Sequence, residues 1–199
     1  MSKPVVAIDL DDVLTPHFEG LIQWYNAKYA TNLTLEHNHP TDPTPWGTES
    51  VKEAVKRVHG YFDTENFKNE QPFEEVTRVL DQLSKNFDLV VITGRDHMIE
   101  DITSKWLKKH FPDIFNDVHF TAQYSLQGKS RSKKDVALST NASYLIDDNL
   151  EAVIDANSVG IKGILFGNYP WNKSNKLPIG VVRCRDWLEV QGYLNNAQN

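Results

Sequence analysis

The sequence has a single cysteine, Cys184, among 199 residues, so it can form no internal disulfide bond. Chains without disulfides are typical of reducing compartments. The first residues, MSKPVVAIDL, contain an apolar run that is too short for a signal peptide, and acidic residues follow it directly. We therefore expect a cytoplasmic protein.

Long apolar runs and an excess of positive charge are also lacking. No stretch approaches the roughly 20 apolar residues of a membrane-spanning helix, so we expect no membrane association. Asp and Glu number 27 against 21 Lys and Arg, which gives a net charge of -6. A nucleic-acid polymer is therefore not an expected partner. A small phosphorylated metabolite is compatible with this charge, because local charge and a metal ion decide its binding. The oligomeric state is not readable from the sequence.

Short β-branched segments alternate with amphipathic segments over most of the chain. Strand patterns occur in VVAID, FDLVVIT, VHFT, SYLID and IKGILFG, with IGVVRC as a further candidate. Helix-like segments separate these strands. The alternation predicts an α/β fold with a Rossmann-like, three-layer α/β/α arrangement around a parallel sheet.

Residues 16–75 interrupt this alternation. The segment has helical patterns, a loop with three prolines and many aromatic side chains, but no convincing strand. We predict a small helical cap subdomain at 16–75 and a core domain formed by 1–15 and 76–199. Most of the aromatics are expected to pack inside the cap. Trp46 would either stack on a base or share that burial, which is the more common fate.

Polar side chains follow the ends of three predicted strands. Asp9 ends the first strand, Thr93 ends the second, and Asp147 and Asp148 end a later one. Ligands of open parallel sheets bind beyond the carboxyl ends of the strands, so we expect these side chains to converge, with Asp11 close by. Clustered carboxylates repel one another unless a cation lies among them. Mg²⁺ is the expected cation, because it prefers oxygen ligands.

Positive charge and hydrogen-bond donors are expected at the same edge. The basic stretch KSRSKKDV precedes the strand SYLID, so Lys133 or Lys134 would face the carboxylates. Thr93 and the backbone N–H groups of Gly94 and Arg95 would offer donors to an anion. Carboxylates, Mg²⁺, lysine and hydroxyl together predict a phosphoryl-binding pocket, where positioning and charge neutralisation are the main catalytic tasks.

These segments resemble the motifs of the haloacid dehalogenase (HAD) superfamily of phosphohydrolases. DLDDV is similar to its first motif, VVIT to the second, the lysine of SKKDV to the third and LIDD to the fourth. The resemblance covers residues 4–167, and the predicted insertion matches the superfamily's helical cap of the first type. DLDDVL, LVVITGR, ITSKWLKKHFPDIF and SYLIDD are most similar to the 5'(3')-deoxyribonucleotidase and nucleotidase branch. That branch more often has Gly where this chain has Asp12, and a Thr-Ser pair in place of TGR.

The resemblance implies a Mg²⁺-dependent, nucleotidase-like phosphatase that forms an aspartyl-phosphate intermediate on a small phosphomonoester. Asp9 would be the nucleophile and Asp11 the general acid and base. The metal would be held by Asp9, the backbone carbonyl of Asp11, Asp147, and Asp148 directly or through water. Thr93 would hold the phosphoryl oxygens.

Several positions keep two interpretations. Lys133 is preferred as the motif-three lysine, because relatives often have Lys-x-Glu/Asp-Val there, and Lys134 would then be a surface charge or a substrate contact. Arg95 would contact the substrate or pair with an acid at the sheet edge. His17 would contact the substrate or pack within the cap. Asp12 would cap a helix or support its loop.

Other functions compete with the nucleotidase interpretation. A phosphatase of a non-nucleotide metabolite, such as a sugar phosphate, would use the same chemistry. A phospho-accepting receiver domain also gathers Asp, Thr and Lys on a parallel sheet, but a cap-sized insertion and a late acidic pair do not fit it. A catalytically idle binding protein is disfavoured by the joint presence of Asp9, Asp11, Thr93, a lysine and Asp147.

Overall fold

A single parallel sheet forms the centre of the protein. A computed structural model describes residues 2–38, 42–122 and 130–197. Its strands are β1 (Val5–Ile8), β2 (Asp88–Thr93), β3 (Asp117–Phe120), β4 (Ala142–Asp147), β5 (Lys162–Phe166) and β6 (Val181–Cys184). Their order across the sheet is β3-β2-β1-β4-β5-β6, and all neighbours run parallel. The predicted α/β fold class and each predicted strand are confirmed.

The strand β1 lies between β2 and β4, where the strand order reverses. Ile8 pairs with Val91 of β2 and with Ile146 of β4. The backbone N–H of Asp9 then donates to the Ile146 carbonyl at 2.9 Å. The ends of β1 and β4 are therefore level, which brings the polar residues that follow both strands to the crevice where open α/β sheets bind ligands.

Helices connect the strands. The described helices are α1 (His17–Tyr29), α2 (Val51–His59), α3 (Glu65–Lys68), α4 (Val76–Leu83), α5 (Glu100–His110), α6 (Lys133–Ser139), α7 (Leu150–Asn157) and α8 (Trp187–Asn196). Side-chain caps fix several N-termini: Ser50 accepts from the Glu53 N–H, and Asp186 accepts from the N–H groups of Leu188 and Glu189. Both caps are predicted by the sequence, since a Ser or Asp stands before an amphipathic run.

Two layers of helices cover the sheet. The apolar residues of α4, α5 and α8 pack on one face, against alternate side chains of the strands such as Ile8 and Ile146. The opposite face, which includes Ala7 and Leu145, packs against α6 and α7. Burial on both faces explains why the strands are almost continuously apolar. The three-layer α/β/α arrangement is thus confirmed.

The helices α1, α2 and α3 lie between β1 and β2 in the chain and build a separate apolar cluster. Phe18, Tyr25, Trp46 and Tyr61 are among its buried members. One member, Ile99, comes from beyond the predicted insertion, so this cluster also contacts the segment that follows β2. The division at residues 16–75 stays a prediction. None of the helices in the described ranges is long and apolar enough to cross a membrane.

Candidate active site

A buried lysine joins the carboxylates at the ends of β1 and β4. Lys133 is the first residue of α6, and its Nζ lies 2.7 Å from Asp9 Oδ2 and 2.8 Å from Asp147 Oδ2. Burial would lower the pKa of Lys133, but Asp147 and Asp9 outweigh it and raise that pKa above its usual range. The ammonium is therefore a fixed positive charge between two buried carboxylates.

Asp148 adds a third carboxylate beside this ion pair. Oxygens of Asp9, Asp147 and Asp148 lie within 4.8 Å of one another. Burial raises the pKa of Asp9 to about 7, a rise that Lys133 opposes and Asp147 favours. Burial, with Asp147 and Asp9, also holds the pKa of Asp148 well above its usual value. One ammonium does not balance three carboxylates, so an all-oxygen donor set with surplus negative charge fits a hard divalent cation.

The side chain of Asp11 pairs with Arg95. The Arg95 Nε lies 3.1 Å from both Asp11 carboxylate oxygens, and its Nη2 lies 2.7 Å from Oδ1. Burial opposes ionisation of Asp11, but Arg95 and then His17 outweigh it and hold its pKa below the usual value. The structure shows one of the two expected roles of Arg95, the ion pair with an acid at the sheet edge. Arg95 also lines the pocket described below.

His17 lies on the other side of Asp11 and pairs with a second acid. Its Nδ1 is 2.9 Å from Glu70 Oε1 and 3.6 Å from Asp11 Oδ1. The ring is buried between the rings of Tyr61, Phe62 and Phe67. Burial lowers the pKa of His17, but Asp11 and Glu70 raise it to about 9. Arg95 Nη2 is 3.6 Å from Glu70 Oε2. The negative charges of Asp11 and Glu70 are therefore balanced by the side chains of Arg95 and His17.

The end of β2 contributes backbone and hydroxyl groups. Thr93 is fully buried, and its Oγ1 accepts a hydrogen bond from the Arg95 backbone N–H at 3.2 Å. Its carbonyl accepts from both the N–H and the hydroxyl of Thr121. Gly94 and Arg95 line the pocket beyond the strand end. The structure therefore brings Gly94 and Arg95 to the crevice that holds Asp9, with Thr93 buried at the strand end and bonded to the Arg95 N–H.

Lys134 is not brought to this site. Its Nζ lies 3.8 Å from Asp155 Oδ2 on α7, and its side chain is about one third exposed. Successive residues of a helix point about 100° apart, so Lys133 and Lys134 cannot both face the carboxylates. The geometry distinguishes the two candidates and leaves Lys134 without contact to the acids beyond β1 and β4.

Asp12 differs from its two neighbouring acids in conformation and contacts. Its φ of 59° is in the left-handed region, and its Oδ1 accepts a hydrogen bond from the Phe18 N–H at 3.1 Å. Phe18 is in the first turn of α1, so Asp12 supplies the cap that the residues adjoining this helix do not. Burial, with Asp148, raises its pKa well above the usual value.

A pocket opens between these charged groups and the inserted helices. Its floor includes Asp9, Asp11, Lys133 and Asp148. Its apolar wall is formed by Phe18, Leu21, Trp46, Val55, Val58, Phe62 and Trp171. Trp46 is almost fully buried and is also part of this wall. Burial in the cap and contact with a base are therefore compatible for this residue. Such a pocket accepts a molecule with one anionic end and one flat apolar part.

Sequence reasoning missed three contributors to the site. Glu70, which pairs with His17, comes from the irregular end of the insertion, where no pattern marks it. Trp171 and Asn172 follow β5, and each donates a hydrogen bond to Asp148. Their only sequence signal is their place just after a strand of the parallel sheet, in the segment YPWN.

Solved structures share this architecture. A haloacid dehalogenase-like hydrolase of Streptococcus pneumoniae superposes with a TM-score of 0.70 at 18% identity, covering 96% of this chain and 98% of that one. A HAD hydrolase of Bacillus subtilis, bound to magnesium, superposes with a TM-score of 0.63 at 14% identity, covering 98% and 100%. At these identities the likeness shows the fold.

Sequence comparisons identify the branch. A 5'(3')-deoxyribonucleotidase of Clostridium acetobutylicum is 27% identical over 207 residues, covering 100% of this chain and 99% of that one. A nucleotidase of the same organism is 21% identical over 201 residues, covering 98% and 95%. The profile of the family described as "5' nucleotidase, deoxy (Pyrimidine), cytosolic type C protein" matches residues 3–198. The chain shares its fold with HAD hydrolases and belongs to this nucleotidase family, whose members are phosphoric monoester hydrolases.

Proposed function

We propose that the protein is a Mg²⁺-dependent 5'-nucleotidase-like enzyme that hydrolyses a nucleoside monophosphate through an aspartyl-phosphate intermediate. One observation carries the proposal: Asp9, Lys133 and Asp148 lie at the floor of a pocket with a largely aromatic wall, and the buried Asp147 pairs with Lys133 beside them. Residues 16–75 would act as the cap that supplies all of this wall except Trp171.

In the first step, a carboxylate oxygen of Asp9 attacks the phosphorus atom, and the bond between phosphorus and the leaving oxygen breaks. Asp11 gives its proton to that oxygen. Arg95 and His17 favour the ionised form of Asp11 in the free enzyme. Asp11 can therefore be protonated only when its interactions with these two cations weaken. A phosphoryl group beside Arg95 would compete for the guanidinium and raise the pKa of Asp11.

In the second step, a water molecule attacks the aspartyl-phosphate, and Asp11 takes its proton. The ion pair with Arg95 favours this step, because it stabilises the carboxylate that acts as base. The bond between Asp9 and phosphorus breaks, which releases inorganic phosphate and restores the carboxylate.

Charge neutralisation makes both steps feasible. Asp9, Asp147, Asp148 and the backbone carbonyl of Asp11 would hold Mg²⁺, which when bound offsets the charge of the carboxylates and the phosphoryl oxygens. Lys133 adds a permanent positive charge 2.7 Å from the attacking carboxylate. Thr93 and the N–H group of Gly94 would donate to the phosphoryl oxygens, whereas the Arg95 N–H donates to Thr93 Oγ1.

A nucleotide matches the two halves of the pocket. The phosphate would lie at the charged floor, and the base would lie against the aromatic wall that contains Phe18, Phe62 and Trp171. Base–aromatic stacking stabilises binding by about 1–3 kcal/mol per base. A sugar phosphate without a base would forgo this contact.

The test is phosphate release from a panel of deoxyribonucleoside and ribonucleoside 5'- and 3'-monophosphates, sugar phosphates and p-nitrophenyl phosphate, with Mg²⁺ or with EDTA. We expect multiple turnovers that are fastest on nucleotides and are lost in EDTA. Asp9→Asn should abolish them, whereas Asp155→Asn, which changes an exposed carboxylate on α7, should not.

Three results would contradict the proposal in different ways. Faster hydrolysis of sugar phosphates would assign a non-nucleotide metabolite as substrate. A single stable phosphorylation without turnover would favour a receiver-like protein. Full activity in Asp9→Asn would remove the nucleophile.

A further inference from the structure

The indole of Trp171 contacts the acidic group from the loop after β5, which carries none of the proposed catalytic residues. This tryptophan follows β5, and its Nε1–H donates to Asp148 Oδ2 at 2.6 Å. Its ring stacks on Tyr169, with ring centroids 4.5 Å apart and planes 2° from parallel. The ring also contacts the edge of Phe18 from α1, at 5.8 Å and 83°. One side chain thus links the wall of the pocket to a carboxylate of its floor.

Buried hydrogen bonds hold the loop that carries Trp171. Asn172 is fully buried, and its Nδ2 donates to the carbonyls of Asp148 and Phe166, both at 2.9 Å. Its Oδ1 accepts from the Tyr169 N–H and from Arg183 Nη1 of β6. All the hydrogen-bonding capacity of this amide is therefore used to fix the turn. The indole N–H is held toward Asp148 by the surrounding structure.

The hydrogen bond at 2.6 Å fixes the orientation of the Asp148 carboxylate. An N–H donor stabilises a carboxylate and fixes its rotation, since indole can donate but not accept. Side chains that form hydrogen bonds with metal-ligating residues orient those residues and raise their affinity for the ion.

We propose that Trp171 is a positioning residue that holds Asp148 in the orientation required to bind a divalent cation. The inference rests on the proposed cation site among Asp9, Asp147 and Asp148. The affinity of this site for the cation would then depend on the loop after β5, which lies outside the sequence motifs that contain the acidic residues.

The test is isothermal titration of the full-length protein with MgCl₂, without substrate. Trp171→Phe keeps an aromatic ring against Tyr169 but removes the N–H donor. We expect its Mg²⁺ affinity to fall about 10–100-fold, the range found when such supporting partners are removed. Trp46→Phe is the matched control, because Trp46 also lines the pocket. Its Mg²⁺ affinity should stay within about two-fold of wild type, as expected for an independent site.

Kinetics separate positioning from damage to the fold. At limiting Mg²⁺, Trp171→Phe should be strongly impaired, and raising the Mg²⁺ concentration should restore kcat toward the wild-type value. A fold defect would not be rescued by the metal. Wild-type Mg²⁺ affinity in Trp171→Phe, or an equal loss in Trp46→Phe, would overturn the inference and leave the proposed enzyme intact. No Mg²⁺ binding by the wild type would overturn both.

A measurement on the unaltered protein covers the case in which Trp171→Phe does not fold. With ¹⁵N-labelled tryptophan, the wild type has five indole N–H signals, one for each tryptophan. We expect MgCl₂ to shift the signal of Trp171 strongly, because its acceptor becomes a metal ligand. If none of the five signals moves at a Mg²⁺ concentration that saturates the calorimetric binding, the inference is wrong.

Discussion

Lys133 illustrates, at the residue scale, how neighbouring positions on a helix come to have different roles. Its ammonium lies between Asp9 and Asp147, whereas Lys134 points toward Asp155. A buried ion pair stabilises little by itself, but removing one partner leaves the other charges buried without compensation. The two lysines therefore provide a matched pair of variants.

Lys133→Met should reduce kcat/KM by roughly 100-fold or more, the loss found when one fixed electrostatic group of an active site is removed. Lys134→Met should stay close to wild type, because its contact with Asp155 is partly exposed and long. Phosphate release at saturating Mg²⁺ measures both. Equal losses in the two variants would mean that the lysine chosen from the geometry has no special role.

His17 should make stability depend on pH. The acids Asp11 and Glu70 face this imidazole, and Arg95 is the nearby cation. Its pKa rises from 6.5 to about 9 on folding, so the folded protein binds the proton more tightly than the unfolded chain does. This stabilisation is fully present below pH 6.5 and is lost as the pH rises through about 9. Its upper limit is about 3 kcal/mol.

Urea unfolding of wild type and His17→Gln, from pH 6 to pH 10, measures this contribution. The difference in unfolding free energy between the two proteins should be largest at the acidic end and should shrink with rising pH. A difference that does not vary with pH would show that His17 is not charged in the folded protein. His59→Gln, which changes a histidine whose ring contacts Phe62, is the control.

The sequence indicates the strand-end residues of the site well, and those added by loops poorly. Asp9, Thr93 and Asp147 can be located because strand periodicity places each at the end of a buried run, and parallel strands bring those ends together. Glu70 contacts His17, and Trp171 contacts Asp148, through the packing of irregular segments. No local pattern encodes that packing, so their contacts become visible only in the folded chain.

At the scale of elements, the turn between β1 and α1 depends on Asp12. The residue combines a left-handed backbone with a capping side chain, and Asp and Asn are the side chains that tolerate both. Its carbonyl also accepts from the Tyr169 hydroxyl at 2.8 Å, so the turn contacts the loop after β5.

Asp12→Ala should lower the free energy of unfolding by about 2 kcal/mol, since the helix loses its cap and alanine disfavours the left-handed conformation. Asp12→Asn is the matched control and should lose little, because asparagine keeps the cap oxygen and removes the repulsion from Asp148. Urea denaturation at one pH compares them. If alanine and asparagine destabilise the protein equally, the capping bond does not support α1.

At the scale of the whole molecule, the cation should stabilise the fold. Mg²⁺ that binds only the folded chain, at 100 times its dissociation constant, would add about 2.7 kcal/mol to the free energy of unfolding. For a chain of this size, that corresponds to a rise in Tm of roughly 5–10 °C.

Calorimetric melting with MgCl₂ and with EDTA measures this effect. Asp147→Asn should lose the Mg²⁺-dependent rise, because it removes a carboxylate of the cation site. Asp155→Asn should keep it, because Asp155 is exposed on α7. A wild-type Tm that is the same with Mg²⁺ and EDTA would contradict a metal site in this group.

The strand order has a consequence for synthesis. β1 is the first strand to leave the ribosome, yet its neighbour β4 and the lysine beside Asp9 are translated only after most of the chain. Arg183, which supports the loop of Trp171, lies on the last strand. A nascent chain would therefore carry Asp9, the proposed nucleophile, long before it has the groups that would activate it. Fragments that end before β4 should therefore be inert toward cellular phosphomonoesters, and activity should require the segment that carries β4 to β6.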